Sequence, residues 1–156
     1  MIAIDIPGFT RLELSHLVLD YNGTLACDGK LLPGIAEALA GLASGIRIHV
    51  ITADTFGLAG TQLAGLPIEL TITPAESQAE AKLRYVSGLG ADTVVAIGNG
   101  RNDRKMLSAV ALGIALVQRE GGAAETIASA DVVCSNILDA LDLLRNPGRL
   151  VATLRS

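Results

Sequence analysis

The segment His16–Gly29, HLVLDYNGTLACDG, passes from three apolar residues directly to an acid and then to a turn rich in glycine and asparagine. Leu17, Val18 and Leu19 are typical of a buried strand in a parallel sheet, which is apolar on both faces. Asp20 would then lie at the carboxyl end of that strand, where open α/β sheets place their ligand sites. The segment therefore predicts a candidate nucleophile at Asp20, although the same residues also suit a simple Asx-turn.

Short apolar runs alternate with segments of helical periodicity along the rest of the chain. Strands are predicted at residues 2–6, 12–20, 47–52, 68–73, 93–98, 113–117 and 131–134. Helices are predicted at residues 33–45, 55–64, 76–88, 102–110, 122–129 and 137–145, with one or two further helical turns in the tail. This alternation predicts an α/β fold: a doubly wound (Rossmann-like) parallel sheet with helices on both faces and a short N-terminal strand or hairpin. With 156 residues and no linker or repeat, the chain is predicted to be a single domain, 1–156.

Two helix starts are predicted from local signals. Thr73 and Glu76 have the spacing of a capping box, and Pro74 would occupy the first helical position. Pro33 would begin the earlier helix in the same way. Both features have a structural explanation, and no chemistry is assigned to them.

Composition and charge exclude several classes of function. A formal net charge of −4 gives no basic field for nucleic acid. The apolar runs are interrupted before they reach the length of a membrane span, and Asp5 interrupts any secretory signal. Cys27 and Cys134 are too few for a disulfide framework and too far apart for a metal-binding pair. We therefore expect reduced thiols and a cytoplasmic protein with no membrane or nucleic-acid partner.

A second glycine-rich turn follows the predicted strand at residues 93–98. Its sequence, GNGRND, covers residues 98–103 and precedes a predicted helix. A turn of this kind could bind a dinucleotide, but the third glycine of that fingerprint is missing. Its position at the carboxyl end of a strand places it at the same sheet edge as Asp20.

Together these segments resemble the motifs of the haloacid dehalogenase-like (HAD) superfamily. Residues 20–24, DYNGT, resemble motif I, Asp-x-Asp-x-Thr, and are still closer to the Asp-Lys-Thr-Gly-Thr of P-type ATPases. GNGRND resembles motif IV, while Thr52 in ITADT and Lys82 on the helix before the 93–98 strand match motifs II and III. The chain is identified as a capless member that resembles the soluble P-type ATPase-like subgroup, because core elements fill the intervals where a cap would be inserted.

The resemblance implies a role for each matching residue. Asp20 would attack a phosphoryl group and form an aspartyl-phosphate. The implied catalytic residues are Asp20, Asn22, Thr52 and Lys82. The implied phosphate-binding residues are Gly23, Thr24, Thr52, Ala53 and Lys82. The implied Mg²⁺ ligands are Asp20, the backbone carbonyl of Asn22, Asn99 and, directly or through another ligand, Asp103.

Two residues depart from the common HAD pattern. Asn22 replaces an acid that would protonate the leaving group and later activate water. Asn99 replaces a metal-binding acid and supplies only a neutral oxygen, so weaker Mg²⁺ affinity is expected. The leading hypothesis is a slow, Mg²⁺-dependent phosphatase or phosphohydrolase. A binding or regulatory domain that retains the HAD fold without catalysis is the alternative, and an ATPase-like fragment that acts with a partner is a third possibility.

The implied partner is a phosphorylated substrate, either a small molecule or a group on a macromolecule. Without a cap domain, the mouth of the site would be open to a large phosphate ester. We also expect a homo-oligomer in which a neighbouring subunit partly covers the mouth around Asp20.

Overall fold

Ten strands and seven helices make up the computed structural model, which describes residues 1–156. The strands are β1 Ile2–Ile6, β2 Thr10–Leu14, β3 His16–Leu19, β4 Ala26–Cys27, β5 Lys30–Leu31, β6 Arg47–Thr52, β7 Glu69–Ile72, β8 Val94–Gly98, β9 Leu112–Leu116 and β10 Val132–Cys134. The helices are α1 Ile35–Leu42, α2 Ala59–Gln62, α3 Gln78–Leu89, α4 Arg104–Ala109, α5 Ala124–Ser129, α6 Ile137–Arg145 and α7 Pro147–Leu154.

Six strands form one parallel sheet in the order β10-β9-β8-β3-β6-β7. The predicted doubly wound parallel sheet is therefore confirmed. The chain starts this sheet at β3, builds outward through β6 and β7, and then returns to add β8 on the other side of β3. The strand order thus reverses between β3 and β8, and this is the position at which doubly wound sheets open a ligand crevice.

Side chains of β3 alternate between two buried clusters. Leu17 and Leu19 belong to the larger cluster, which also contains residues of α1 and α6. Val18 belongs to the smaller cluster, together with Val86 of α3 and Met106 of α4. Because successive residues of a strand point to opposite faces, the two clusters mark the two faces of the sheet, and helices cover both.

The predicted strand over residues 12–20 is wrong in one respect, because it consists of two strands. β2 pairs antiparallel with β1, whereas β3 pairs in parallel with β6 and β8. Ser15 separates them, so the chain leaves the N-terminal hairpin and enters the main sheet there. The predicted short N-terminal hairpin is present.

Both predicted helix starts are wrong. Thr73 donates its backbone N–H to Thr52 and so extends the pairing of β7 with β6, and its buried hydroxyl has no hydrogen-bond partner. The helix begins only at Gln78. Pro33 is separated from α1 by Gly34, whose φ of +84° breaks the helical path. Backbone pairing and a left-handed turn therefore override the local capping signals.

One further feature was not predicted: β4 and β5 form a two-stranded hairpin directly after the DYNGT turn.

The predicted end of the helix over residues 137–145 is confirmed, because α6 ends at Arg145. The further helical turns predicted in the tail are present as α7, which begins at Pro147. None of the helices combines the length and apolar character needed to cross a bilayer.

Candidate active site

The residues of the predicted site meet at the carboxyl edge of the sheet. Asp20 follows β3 and donates its backbone N–H to Ile97 of β8 at 3.0 Å. Asn99 directly follows β8, and Thr52 is the last residue of β6, the other neighbour of β3. Three segments distant in sequence thus end side by side, as expected from the parallel register of the strands.

Lys82 joins Asp20 to the 98–103 turn. Its Nζ donates to Oδ1 of Asp20 and to Oδ1 of Asp103, each at 2.7 Å, and to Oδ1 of Asn102 at 3.1 Å. Only 1% of Lys82 is exposed, so the ammonium group lies beneath the surface with all three N–H bonds used. α3 therefore fixes a positive charge directly behind the candidate nucleophile.

Asp103 organises the turn after β8. Its Oδ1 accepts from Lys82, and its Oδ2 accepts from the backbone N–H groups of Asn99 and Gly100 at 3.1 and 3.0 Å. A Cβ on Gly98 would lie 2.4 Å from Cγ of Asp103, so a glycine is required for this close approach. Asp103 is fully buried and shapes the turn, and a role as a metal ligand stays a prediction.

The electrostatics of the site combine two carboxylates with one ammonium group. Burial, together with the charge of Asp103, raises the pKa of Asp20 to about 6, although Lys82 and Thr24 oppose the shift. Burial alone would lower the pKa of Lys82, but Asp20 and Asp103 outweigh it and hold that pKa above its ordinary value. Lys82 is therefore a permanent cation, whereas Asp20 becomes a carboxylate only near neutral pH.

The DYNGT turn holds Asp20 from its other side. The hydroxyl of Thr24 donates to Oδ2 of Asp20 at 3.1 Å. Gly23 has a φ of +82°, and a Cβ there would lie 2.4 Å from Nδ2 of Asn99. The buried Tyr21 donates its hydroxyl to the carbonyl of Gly29 at 2.8 Å and anchors the hairpin of β4 and β5. The first and last motifs thus pack directly against each other.

The loop after β9 completes the site and was missed by the sequence analysis. Gln118 donates to the carbonyls of Gly23 and Thr24, both at 3.1 Å, and accepts from the backbone N–H of Ile137 at 2.9 Å. Asn99 donates to the carbonyl of Gly121 at 3.0 Å. Because this loop also follows a strand at the carboxyl edge, the rule that locates Asp20 could have pointed to it.

These elements enclose a cleft of about 230 Å³. Five predicted residues line it: Asp20, Asn22, Thr52, Ala53 and Asn99. Five residues that were not predicted complete the wall: Thr55, Gln78, Gly100, Asn102 and Glu120. The other predicted residues, Gly23, Thr24, Lys82 and Asp103, do not line this cleft and act through Asp20 or the turns around it.

The oxygens in the cleft fit a divalent cation that prefers hard ligands. Oδ1 of Asn22 is buried and has no hydrogen-bond partner, and the backbone carbonyl of Asn22 accepts no backbone hydrogen bond. The carboxylate of Asp20 and the side chain of Asn99 line the same cleft. No group of three or more His, Cys, Asp or Glu side chains is placed to hold a metal ion. The acids that line the cleft are therefore only Asp20 and Glu120, and the remaining donors are neutral oxygens.

Two relatives from Methanocaldococcus jannaschii are similar in sequence. Uncharacterized protein MJ0073 is 43% identical over 83 residues, which is 51% of this chain and 89% of that protein. Uncharacterized protein MJ0072 is 44% identical over 39 residues, which is 25% of this chain and 89% of that protein. No protein-family profile matches the chain.

Solved structures with a similar fold are HAD proteins and a P-type ATPase. The cobalt-bound deoxy-D-mannose-octulosonate 8-phosphate phosphatase of Haemophilus influenzae has a TM-score of 0.72 at 14% identity, covering 92% of this chain and 94% of its own. The 3-deoxy-D-manno-octulosonate 8-phosphate phosphatase of Moraxella catarrhalis, in complex with a magnesium ion, a phosphate ion and a KDO molecule, has a TM-score of 0.66 at 19% identity, with the same coverage. A zinc-transporting PIB-type ATPase has a TM-score of 0.63 at 25% identity over 78% of this chain and 20% of its own.

Proposed function

Because this chain belongs to the family of the M. jannaschii protein MJ0073 and has the capless fold of HAD superfamily hydrolases, we propose that it is a phosphatase acting through Asp20. One observation carries the proposal: Oδ1 of Asp20 lies 2.7 Å from the buried ammonium group of Lys82, and the Asp20 carboxylate lines an open cleft. A carboxylate held beside a permanent cation can approach a phosphate dianion, whereas an isolated carboxylate would repel it.

In the first step, a carboxylate oxygen of Asp20 attacks phosphorus. The bond between phosphorus and the ester oxygen breaks, and the alcohol leaves with a proton from solvent. Lys82 and Thr24 hold the carboxylate in place through Oδ1 and Oδ2. Thr52 lines the cleft. Its hydroxyl oxygen accepts from the backbone N–H of Asp54, so the hydroxyl hydrogen is free to be donated to a phosphoryl oxygen.

In the second step, water attacks phosphorus and the bond to Asp20 breaks. Inorganic phosphate leaves, and the carboxylate of Asp20 is restored. Asn22 lines the cleft where a carboxylate could accept a proton from this water, but an amide can only orient the water. The aspartyl-phosphate is therefore expected to form readily and to decay slowly.

We propose Mg²⁺ as the cofactor of this site. The residues that would hold it are Asp20 through its carboxylate, Asn22 through its backbone carbonyl and Asn99 through its side-chain oxygen. When bound, the cation would offset the repulsion between the carboxylate and the phosphate dianion. Because only one of these ligands is charged, the affinity should be lower than that of a site with two or three carboxylates.

A screen of phosphate monoesters and ATP with Mg²⁺, combined with acid quenching, tests this function. Wild-type protein should release phosphate and retain an acid-stable phosphoryl group on Asp20. Asp20→Asn should lose both signals, because the amide cannot form the acyl phosphate. Asp92→Asn is a matched control, since Asp92 is exposed and precedes β8 at the opposite edge of the sheet.

Two outcomes would contradict the proposal. Equal phosphate release by wild type and Asp20→Asn would show that Asp20 is not the nucleophile. Absence of any phosphoenzyme or phosphate release in the folded wild-type protein would favour the binding or regulatory domain instead.

A further inference from the structure

A groove beside the cleft carries positive charge. Arg101 and Arg104 line it on one side, and Ser77, directly before α3, and Glu80, in the first turn of α3, line it on the other. The groove measures about 490 Å³, roughly twice the volume of the cleft that holds Asp20. It is therefore large enough for a part of a substrate beyond the phosphoryl group.

The groove and the cleft are adjacent. Gln78 and Asn102 line both of them. Their side chains are joined by a hydrogen bond of 2.8 Å from Nδ2 of Asn102 to Oε1 of Gln78. Asn102 also accepts from Lys82 at 3.1 Å, so the shared wall is fixed to the residue behind the nucleophile. An ester whose phosphorus lies at Asp20 can thus extend across this pair into the groove.

The cations around the groove outnumber its carboxylates. One oxygen of Glu125 serves both Arg101 and Arg104, with N–O distances of 3.3 and 3.5 Å. Glu80 pairs with Lys105. The charged residues that line the groove are two arginines, Arg101 and Arg104, and one acid, Glu80. The lining therefore carries one positive charge in excess, in a chain whose net charge is −4.

Arg104 is placed to bind an anion. Its side chain is 30% exposed, and its Nη1 donates to the carbonyl of Arg101 at 3.0 Å, which fixes the guanidinium group. The pairs with Glu125 are largely exposed and longer than ideal ion pairs, so an incoming anion can replace that carboxylate at little cost. A guanidinium group presents two parallel N–H donors to a carboxylate or phosphate.

We infer that the preferred substrate carries a second anionic group, a carboxylate or another phosphoryl group, and that Arg101 and Arg104 bind it in this groove. This inference rests on the proposed phosphatase function, and it names the class of ester that the site selects. A second pocket adjoins the cleft through Glu120, but there Arg119 is accompanied by that acid and by apolar residues, so it gives no comparable preference.

Matched pairs of phosphate esters test the inference. Glycerol 3-phosphate and 3-phosphoglycerate differ in a carboxylate, and fructose 6-phosphate and fructose 1,6-bisphosphate differ in a phosphoryl group. For wild type, kcat/KM should favour the more anionic member of at least one pair by about tenfold, the ratio expected from one good charged contact. The pair that shows the preference identifies the anion.

Variants of the groove should move this ratio in opposite directions. The double variant Arg101→Gln with Arg104→Gln should abolish the preference, whereas Glu125→Gln should increase it by freeing both guanidinium groups. Arg84→Gln, an exposed arginine on α3 outside the groove, is the matched control and should leave the ratio unchanged. Equal ratios for wild type and the double variant would overturn the inference.

Calorimetry on the Asp20→Asn protein separates this inference from the proposed function, because the variant can bind esters without hydrolysing them. Asp20→Asn should bind the more anionic ester more tightly, and adding the Arg101 and Arg104 substitutions should remove this difference. That result would support anion binding in the groove even if wild type hydrolysed no ester. If wild type hydrolysed the esters but showed no such preference in binding, the inference of anion binding in the groove would be overturned, whereas the proposed phosphatase function would stand.

Discussion

Asp20 shares the ammonium group of Lys82 with Asp103, so one buried cation faces two buried acids. Burial, together with the charge of Asp103, raises the pKa of Asp20 to about 6, although Lys82 opposes the shift. A nucleophile whose charged form is disfavoured in the folded protein is a common feature of active sites, where function opposes stability. Removing the charge of Asp20 should therefore stabilise the fold under conditions in which the wild-type group is ionised.

We predict that Asp20→Asn is more stable than wild type at pH 8 and nearly equal at pH 4. Between the ordinary pKa of 3.8 and about 6, the folded protein binds more protons than the unfolded chain, so its free energy of unfolding falls as pH rises through this window. The full effect is present above the folded pKa and amounts to at most about 3 kcal/mol, at 1.36 kcal/mol per pKa unit. Urea denaturation with a metal chelator at both pH values measures it. A variant less stable than wild type at pH 8 would show that the carboxylate stabilises the fold.

Asn22 supports a second prediction, on the decay of the aspartyl-phosphate. Asn22→Asp should accelerate decay, because an ionised carboxylate at this position can accept a proton from the attacking water. General acid–base catalysis raises a rate by roughly 100- to 10,000-fold. We expect a gain near the lower end, because Oδ1 of Asn22 has no hydrogen-bond partner that would orient a carboxylate there. Single-turnover kinetics at saturating Mg²⁺ separates formation of the phosphoenzyme from its decay. Unchanged or slower decay in the folded variant would refute the role given to Asn22.

At the scale of elements, α3 links the two halves of the sheet edge. It contributes Lys82 to Asp20, which follows β3, and to Asp103, in the turn after β8. Its Gln78 bonds Asn102 of the same turn. A buried charge network of this kind tolerates the loss of its central cation poorly, because two carboxylates are then left facing each other.

Lys82→Met should therefore destabilise the protein by about 3 to 5 kcal/mol at pH 8, the usual range when one partner of a buried ion pair is removed. The loss should be smaller at pH 5, where Asp20 binds a proton and the repulsion is relieved. Arg84→Met on the exposed face of the same helix serves as the control and should change stability by no more than about 0.5 kcal/mol. Equal losses in the two variants in urea denaturation would contradict a structural role for the ammonium group.

For the whole molecule, the open cleft and the exposed apolar residues beside it bear on assembly. Phe56 is 53% exposed and follows Thr55 of the cleft wall, and Val117 is 41% exposed and precedes the Gln118 loop. Exposed apolar side chains grouped around a functional mouth often mark a contact surface. We propose that a second copy of this chain packs there and partly covers the mouth of the site.

Light scattering should then give a homo-oligomer at micromolar concentration, and Phe56→Ser should shift it toward the monomer because the variant removes apolar area from the contact. Phe9→Ser changes an equally apolar exposed residue on the N-terminal hairpin and should leave the assembly intact. A monomeric wild-type protein would contradict the proposal.

The pattern of residues along the chain was sufficient to predict the main sheet and to place Asp20, the candidate nucleophile, at its carboxyl edge. An apolar run that ends in an acid, as at Leu19-Asp20, and one that ends in GNGRND are sufficient, because parallel strands bring their carboxyl ends to one edge. Thr52 was placed there for the same reason. Such predictions succeed because they depend on periodicity within one strand and on a general property of the sheet.

The contacts that hold the site and the surface around it depend on how distant parts of the chain pack together. The capping signal at Thr73 failed because the backbone there pairs with Thr52, a partner distant in sequence. The clamp formed by Gln118 and the groove of Arg101 and Arg104 depend on side chains from separate loops that meet only after folding. No local pattern encodes such contacts, since their free energy comes from groups brought together by packing of the whole chain.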